Sequence, residues 1–487
     1  MADLRRSLVI TFFSSSGATM MRFVVSVLLA RILSPSEIGV YSMTIVFVNL
    51  AQVFRDFGVS TYLQREPDLT PDKIRSATGV VFTSSWLIAI AMFLASESIG
   101  RWFNEPDMIP VMQVLAIGFF LIPFGAITNA LLTREFAAEK QAIVNMAGTL
   151  SFCVSCVVLA KLGHGSLSLA YANLINIIVC AVALVPLRPK NVPWLPSFGH
   201  WRSVTHFGLG SLLSSCMVAL NNAIPDLLLG KLGNARQVGL LSRANSTVTI
   251  FTHVAGSTVS YGAVSYLAQA HHRGESLVPV LQRATALLTG VGWTALALTT
   301  VLGKDIVLAL YGPAWLECVP AILPLSLAAA VTMAFHYVPI AVTAIGRPYL
   351  SAAPVAVTLL SRIGFAVVLF DGTLAGFGWV LFLATVAAAP VTLLQQRRYF
   401  GFGAMALLRA LLPSAFVTAG TTAVAVLMAL LLPSALGPLA RLLLMFPVLA
   451  IAWYLLLRTC RHAMLDEVHR LAGMARARLP LLQRPNI

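Results

Sequence analysis

The sequence predicts an all-α integral membrane protein with about fourteen transmembrane helices, arranged as two pseudo-symmetric six-helix lobes plus two C-terminal helices. Three observations predict this fold. Of 487 residues, 58% are hydrophobic and only 10% are charged, whereas soluble domains contain roughly 25% charged residues. The apolar runs are about twenty residues long, which is the length of a spanning helix and about twice that of a barrel strand. One stretch of the chain also occurs twice, about 200 residues apart.

The repeated stretch reads ARILSPSEIGVYSMTI at 30–45 and GKLGNARQVGLLSRAN at 230–245, so that Gly39 aligns with Gly239. The apolar segment before each copy carries polar residues at helical spacing. These residues are Thr11, Ser15, Arg22 and Ser26 in the first copy, and Ser211, Ser215, Asn222 and Asp226 in the second. A duplicated apolar helix with one polar face predicts two halves around a shared, water-filled cleft.

Spans placed by apolar length define the domains. The first lobe, residues 1–187, contains predicted spans at 8–32, 38–54, 77–96, 109–132, 143–161 and 167–187. A cytoplasmic inter-lobe linker follows at 188–205 and is rich in proline. The second lobe, residues 206–396, contains spans at 206–230, 237–263, 281–302, 319–344, 349–370 and 374–394. Residues 397–458 hold two additional helices at 410–432 and 438–458, and residues 459–487 form a basic cytoplasmic tail.

The basic residues indicate orientation and a lipid partner. The net charge is +15, but the lysines and arginines are dispersed among the joints between spans, which argues against nucleic acid as a partner. An even number of spans with both termini cytoplasmic places roughly three times more basic residues on the inner side, as the positive-inside rule requires. The same charge predicts attraction to anionic membrane lipid. The first span lacks a convincing cleavage site, so we expect it to be retained.

The sequence contains no pattern typical of catalysis or of a metal centre. Cys153 and Cys156 form a CxxC pair on a predicted spanning helix with no further ligand nearby, and small apolar filler is the more common role for such residues. GxSxG, HExxH and paired-carboxylate patterns are missing from the sequence. We therefore predict no catalytic residue, no metal and no cofactor.

Apart from the charged residues at span ends, which belong to the joints, four charged residues fall inside predicted spans, namely Arg22, Arg243, Arg362 and Asp226. A charge near the centre of a bilayer costs about 3 kcal/mol or more, so each should face protein or water. Two interpretations stay open. The arginines contact a charged substrate, or Arg22 or Arg243 pairs with Asp226 and ties the lobes together.

Several segments resemble one known family. ARILSPSEIGVY at 30–41, FRDFGVS at 54–60, LYGPAW at 310–315 and AIGRP at 344–348 resemble the polysaccharide transporter branch of the multidrug, oligosaccharidyl-lipid and polysaccharide (MOP) exporter superfamily. The resemblance implies a Wzx-type flippase of the bacterial inner membrane with two six-helix lobes. Its cargo would be an undecaprenyl-pyrophosphate-linked oligosaccharide for O-antigen, capsule or exopolysaccharide synthesis, and polysaccharide polymerase machinery would be a further partner.

The resemblance also implies roles for individual residues. Related lipid II flippases have cavity-facing arginines in their first, second and eighth spans that are thought to hold pyrophosphate, which implies Arg22, Arg55 and Arg243 here. Independently of the resemblance, sugar hydroxyls need neutral hydrogen-bonding groups, which are present at Asn49, Gln52, Asn173, Asn176, Asn221, Asn222, Asn245 and His336. Of these, Asn49, Asn222 and Asn245 are the candidates for substrate binding. Asp226 is predicted to couple transport to a cation or to balance the arginines.

Two other functions remain as alternatives. A multidrug or cation antiporter shares the two-lobe fold, but the cationic interior predicted here favours an anionic cargo. A membrane-integral glycan polymerase or ligase needs a general base or a metal on a sizeable outer loop, and the predicted outer joints are short. A scaffold without transport activity would not explain arginines within the bilayer.

Overall fold

The structure, a computed structural model, describes residues 2–56, 58–189, 196–197, 199, 201–260, 267, 269, 272–433 and 436–470. The side chains of residues 2–13, 202–214, 250–260 and 348 lie outside this description. The predicted linker at 188–205 and the predicted tail at 459–487 are thus only partly described. Within the described ranges the regular elements are helices and no strand occurs, which confirms the predicted all-α fold class.

The chain forms two compact units, Met1–Ser242 and Arg243–Ile487, with the division inside one helix. The first unit contains α1 (Ala2–Ala30), α2 (Pro35–Asp56), α3 (Val59–Arg65), α4 (Pro71–Phe103), α5 (Met108–Arg134), α6 (Ala138–Lys161), α7 (Ser166–Leu184), α8 (Trp201–Leu232) and the start of α9 (Ala235–Ser260). The second unit contains α10 (Val278–Val301), α11 (Gly303–Leu310), α12 (Val319–Ala334), α13 (Tyr337–Ala344), α14 (Ala352–Leu369), α15 (Leu374–Phe400), α16 (Ala404–Leu431) and α17 (Pro438–Thr459). The predicted lobes at 1–187 and 206–396 stay a prediction.

Eleven segments of the described chain are long and apolar enough to cross a membrane. They coincide with the predicted spans from α2 to α7 and from α10 to α17. The other predicted spans, at 8–32, 206–230 and 237–263, coincide with α1, α8 and α9, whose side chains are described only in part. The chain is a multi-pass membrane protein, while the count of fourteen stays a prediction.

The predicted span at 319–344 is not one continuous helix. It divides into α12, which ends at Ala334, and α13, which begins at Tyr337. Pro339 offers a physical reason, because it has no backbone N–H to donate to the carbonyl of Phe335 one turn earlier. The helix therefore restarts with proline in its first turn, where a missing N–H costs nothing.

The two copies of the repeat begin their second helix in the same way. Ser34 and Glu37 cap the start of α2 reciprocally: the Ser34 N–H donates to Glu37 Oε2 at 2.7 Å, and the Glu37 N–H donates to Ser34 Oγ at 3.3 Å. At the start of α9, the Gln237 N–H donates to Asn234 Oδ1 at 3.0 Å. Both pairs are N-cap and N3 residues, so the repeat found in the sequence produces matching helix starts.

The aligned glycines Gly39 and Gly239 lie at a close helix contact. A Cβ atom on Gly39 would overlap the carbonyl oxygen of Ala235, and a Cβ atom on Gly239 would overlap the carbonyl oxygen of Pro35. Each Cβ would also lie 3.0 Å from the backbone nitrogen of the other glycine. Because Pro35 and Ala235 are aligned in the repeat as well, the contact is reciprocal. Glycine is required here for the backbones to approach.

Polar contacts attach the two C-terminal helices to α10 within the second unit. The hydroxyls of Thr289 on α10 and Ser414 on α16 lie 2.8 Å apart, and Ser414 Oγ lies 3.0 Å from Nε2 of His462. The indole N–H of Trp453 on α17 donates to the carbonyl of Gly290 at 3.1 Å. Hydrogen bonds between helices are favourable where lipid offers no alternative partner, so α16 and α17 are integral parts of this unit.

Candidate functional site

A cavity of about 430 Å³ lies between α1, α6 and α7. We call it the Arg22 cavity. The polar residues that line it are Ser14, Ser15, Thr19, Arg22, Gln141, Asn145, Thr149, Asn176 and Cys180. On α1, Ser15, Thr19 and Arg22 are spaced four and three residues apart and therefore share one face of the helix. The predicted binding residue Arg22 is exposed and contributes the positive charge of this cavity.

A second cavity, of about 250 Å³, adjoins the first and is called the Arg55 cavity. It lies among α5, α6, α7 and the end of α2. The backbone carbonyl of Arg55 accepts a hydrogen bond from Ser84 Oγ at 2.9 Å, which fixes the last turn of α2 against α4. The side-chain Nε of Arg55 is buried and has no hydrogen-bond partner in the described part of the chain. The neighbouring Asp56 carboxylate accepts a hydrogen bond from Ser60 Oγ at 2.6 Å.

Three residues line both cavities: Asn145, Asn176 and Cys180. Of the described residues that line either cavity, none carries a carboxylate. The structure thus places the predicted residues Arg22 and Arg55 on adjoining polar cavities within the first unit. Guanidinium groups in a water-accessible site of low dielectric constant favour an anionic ligand.

A third cavity, of about 520 Å³, lies between α2 and α8 and is called the Asp226 cavity. It brings together three predicted residues, Asn49, Asn222 and Asp226, together with Ser215. Its other described lining residues are apolar, and none of them is basic. Arg22 and Asp226 therefore line different cavities. One interpretation of the sequence was an ion pair between Arg22 and Asp226. Among the described side chains these two residues form no such pair.

Arg243 has a different environment. Its side chain is only 7% exposed, and its guanidinium carbon lies 5.6 Å from the ring centre of Tyr311 and 5.4 Å from that of Trp315. Both rings belong to the LYGPAW segment, where Gly312 adopts a φ of 97° that strongly favours glycine. Arg243 lines none of the three cavities. Its predicted contact with substrate gains no support from this geometry and stays a prediction.

Asn245 also lies away from the three cavities. Its side chain is exposed, and its backbone carbonyl accepts a hydrogen bond from Thr249 Oγ1 at 2.8 Å within α9. Its predicted contact with sugar hydroxyls therefore stays a prediction too.

Sequence reasoning missed part of the cavity lining on α6. Gln141, Asn145 and Thr149 line the Arg22 cavity, and none of them was among the predicted binding residues. A signal was present, because these residues recur every four positions along a largely apolar helix. The same helix also buries Gly148 against α7, and that contact has no signature in the sequence.

A family model described as polysaccharide biosynthesis protein matches residues 28–320. Among curated proteins, the lipopolysaccharide biosynthesis protein WzxC of Escherichia coli is 24% identical over 148 residues, which is 30% of either chain. The succinoglycan biosynthesis transport protein ExoT of Rhizobium meliloti is 22% identical over 316 residues, or 63% of either chain. The chain thus aligns with less than two thirds of the length of these relatives.

Two solved structures have the same fold. Lipid II flippase MurJ, in an inward closed conformation, superposes with a TM-score of 0.75 at 13% identity, covering 93% of this chain and 99% of the other. An inward-facing multidrug resistance transporter of the MATE family superposes with a TM-score of 0.62 at 16% identity, covering 80% and 96%. The likeness extends to the fold alone. Together with the family match, it confirms the resemblance that the sequence segments predicted.

Proposed function

The chain belongs to the polysaccharide biosynthesis protein family, and from this premise we propose that it is a lipid-linked oligosaccharide flippase. The proposed cargo is an undecaprenyl-pyrophosphate-linked glycan unit, moved from the inner to the outer leaflet of the bacterial inner membrane. The glycan would serve the synthesis of O-antigen, capsule or exopolysaccharide. On this proposal the chain is a transporter and not an enzyme, and both of its termini are cytoplasmic.

The observation that carries the proposal is the pair of adjoining cavities lined by Arg22 and Arg55. A pyrophosphate must leave water to cross a bilayer, and this step needs fixed positive charge along the route. Arginine stays ionised in a medium of low dielectric constant, and its planar fork binds two phosphate oxygens at once. The cavities add amide and hydroxyl groups to these charges and have no carboxylate among their described lining residues, which suits an anionic group.

The other predicted residues receive roles within the same proposal. Asn49 and Asn222 face the Asp226 cavity, where amides can exchange hydrogen bonds with sugar hydroxyls. Asp226 either couples transport to a cation or balances the arginines. Arg243 would reach the substrate only in a conformation in which it leaves Tyr311 and Trp315, and Asn245 would likewise act in another state. These roles rest on side-chain chemistry and position.

We place these contacts in an alternating-access cycle. The pyrophosphate stays on the arginines while access changes from one side of the membrane to the other, and the polyprenyl tail remains in lipid. Large apolar side chains on α14 are strongly exposed, with Val368 at 77%, as expected of a lipid-facing helix. Anionic membrane lipid and polysaccharide polymerase machinery are the proposed partners.

The Asp226 cavity favours a second candidate, a multidrug or cation antiporter. A carboxylate in a cavity without a described basic residue suits a cationic drug or a coupling ion. The fold likeness to a multidrug resistance transporter is compatible with this candidate as well. Cationic cargo would, however, leave the two arginine cavities without a use.

A reconstitution experiment separates the two candidates. Purified protein in liposomes is supplied with an undecaprenyl-pyrophosphate-linked sugar in one leaflet, and its appearance in the other leaflet is followed with an enzyme or lectin that cannot cross. Protein-dependent movement of the lipid is the expected result. Efflux of a cationic dye driven by sodium or protons, without lipid movement, would instead support the antiporter.

A further inference from the structure

We propose that the side-chain amide of Asn176 is a specificity-determining hydrogen-bond donor to phosphate oxygens held between Arg22 and Arg55. This inference rests on the proposed function, because it specifies how the anionic group of the cargo is bound. The sequence offers Asn176 as one of several hydrogen-bonding groups for sugar hydroxyls, and this inference assigns its amide to the phosphate group instead.

The first step is the position of Asn176. It lies in the middle of α7, a helix composed largely of leucine, isoleucine, valine and alanine. Asn176 borders both the Arg22 cavity and the Arg55 cavity, and so do Asn145 and Cys180. The Asn176 side chain is therefore accessible from either cavity.

The second step is the orientation of the amide. Cys180, one turn further along α7, has its Sγ 3.4 Å from Oδ1 of Asn176. The same Sγ lies 3.8 Å from the carbonyl oxygen of Val144. A thiol S–H is a weak donor and both oxygens are acceptors, and the shorter of the two contacts places the oxygen end of the amide beside the thiol. The nitrogen end, with two N–H donors, has no hydrogen-bond partner among the described residues. Two unused donors beside cavities that contain arginines are suited to an anion.

The third step is the device that keeps the amide in this orientation. A Cβ atom on Gly148 of α6 would overlap both Cys180 Sγ and Asn176 Oδ1, and it would lie 3.6 Å from Asn176 Cγ. Glycine inside a helix costs about 1 kcal/mol relative to alanine, so its presence here needs a packing reason. Gly148 makes the space in which the oxygen end of Asn176 and the thiol pack against α6.

Gln141, which also lines the Arg22 cavity, offers a comparison. The amide nitrogen of Gln141 donates to Thr133 Oγ1 at 2.7 Å and to Asn129 Oδ1 at 3.2 Å. The donors of Gln141 are thus used within the protein and hold α5 against α6. The donors of Asn176 are not used in this way, which distinguishes an amide available to ligand from an amide that joins helices.

The chemistry follows from these steps. The arginines supply charge and bidentate contacts to phosphate, and an amide N–H at a fixed position adds a further requirement, for an acceptor oxygen at a fixed distance and angle. Asn176 would therefore add geometric selectivity to the charge of Arg22 and Arg55. A ligand with phosphate oxygens meets this requirement, and a ligand that carries only hydroxyl groups gains less, because hydrogen bonds to charged groups are the stronger ones.

The test uses the thiol of Cys180 as a reporter in the full-length protein. N-ethylmaleimide alkylation is followed by mass spectrometry of the Cys180 peptide, with the fully buried Cys318 as an internal reference that should stay unmodified. Inorganic pyrophosphate is titrated in one arm and detergent-solubilised undecaprenyl pyrophosphate in the other, to distinguish a free ligand from a lipid-borne one. We expect pyrophosphate in at least one arm to slow the alkylation of Cys180.

Three variants define the result. Asn176→Ala and Gly148→Ala should each raise the pyrophosphate concentration for half-protection about tenfold, because one hydrogen bond to a charged group is lost or displaced. Asn176→Asp keeps the side-chain shape but replaces the donors by a negative charge, so protection should disappear. The matched control is Asn173→Ala, which removes an amide that bonds to Tyr41 and should change half-protection less than twofold.

The inference and the proposed function fail in different ways. The role of Asn176 is overturned if Asn176→Ala leaves the pyrophosphate concentration for half-protection unchanged. It is also overturned if neither arm protects Cys180 in the wild-type protein. Should pyrophosphate protect Cys180 in a protein that moves no lipid between leaflets, the flippase proposal fails while the anion site stands. If Asn176→Ala folds poorly, the Gly148→Ala and Asn176→Asp titrations decide the matter.

Discussion

The two copies of the repeat share their framework but differ in how their arginines are surrounded. Both copies start their second helix with a capped turn, and Gly39 and Gly239 meet at a reciprocal contact. In the first unit, Arg22 is exposed on a polar cavity. In the second unit, Arg243 is enclosed by the rings of Tyr311 and Trp315.

This difference shows that the cost of an intramembrane charge can be met in two ways. Arg22 lies exposed on a cavity lined by amide and hydroxyl side chains, which leaves it available to an anion. Aromatic faces stabilise Arg243 by cation–π attraction and occupy the space that a ligand would need. Both arginines satisfy the same sequence rule, that a charge in a span must not face lipid, so the rule alone does not distinguish binding from packing.

The largest effect is expected from the arginines that we assign to substrate binding. The double variant Arg22→Ala with Arg55→Ala should slow lipid flipping in liposomes at least about 100-fold, because two charge-assisted contacts to phosphate are removed. Either single variant should be less severe. Arg101→Ala is the matched control, since Arg101 is 71% exposed and, within the described ranges, forms a surface ion pair with Glu97 alone. If the double variant, at equal protein yield, moved lipid at the wild-type rate, the arginine cavities would have no role in the mechanism.

The shared framework is tested next. Gly39→Ala or Gly239→Ala should destabilise the protein by about 3 kcal/mol, since the added Cβ meets a backbone carbonyl that cannot move independently. The measurement is the midpoint of thermal unfolding in detergent. Gly364→Ala on α14 provides the control, because a Cβ there meets nothing within 4 Å and alanine should stabilise the helix slightly. Equal midpoints for Gly39→Ala and Gly364→Ala would contradict the close contact.

The next prediction tests whether Arg243 stabilises the fold through its contacts with aromatic rings. Arg243→Ala should destabilise the second unit by about 2 kcal/mol through loss of its contacts with two buried rings, and thermal unfolding should begin at lower temperature. Arg22→Ala should leave the unfolding midpoint nearly unchanged, because Arg22 is exposed. The comparison would be broken if Arg243→Ala unfolded like the wild type and Arg22→Ala did not.

The smallest effect concerns the helix caps. Ser34→Ala and Asn234→Ala should each lower the free energy of unfolding by about 1 kcal/mol, because each removes a side-chain acceptor for an N–H at the start of a helix. Similar shifts of the unfolding midpoint are expected, since the two caps are aligned in the repeat. If only one variant shifted the unfolding midpoint, the two helix starts would be alike in sequence but would not contribute equally to stability.

Much of the fold follows from the sequence for a simple physical reason. A spanning helix must satisfy its backbone hydrogen bonds internally, so apolar runs of about twenty residues locate helices well. Helices were found at the predicted positions from α2 to α7 and from α10 to α17. The break at Phe335 was missed, because proline within an apolar run does not show by itself whether the helix bends or restarts.

The candidate site was only partly predictable. Arg22 and Arg55 were identified because charge in a span is rare and because the segments resemble a known family. The environment of Arg243 depends on Tyr311, about 70 residues later in the chain, and such contacts leave no local pattern. The role of Gly148 in seating Asn176 depends on the approach of two helices, which spacing along one helix does not reveal.

The most direct test of the central claim is an experimental structure of the chain with an undecaprenyl-pyrophosphate-linked sugar bound. Our account predicts phosphate density in the adjoining cavities, within hydrogen-bond distance of Arg22, Arg55 and the Asn176 amide, with Arg243 still between Tyr311 and Trp315. Phosphate density against Arg243, with both first-unit cavities filled by water alone, would contradict it.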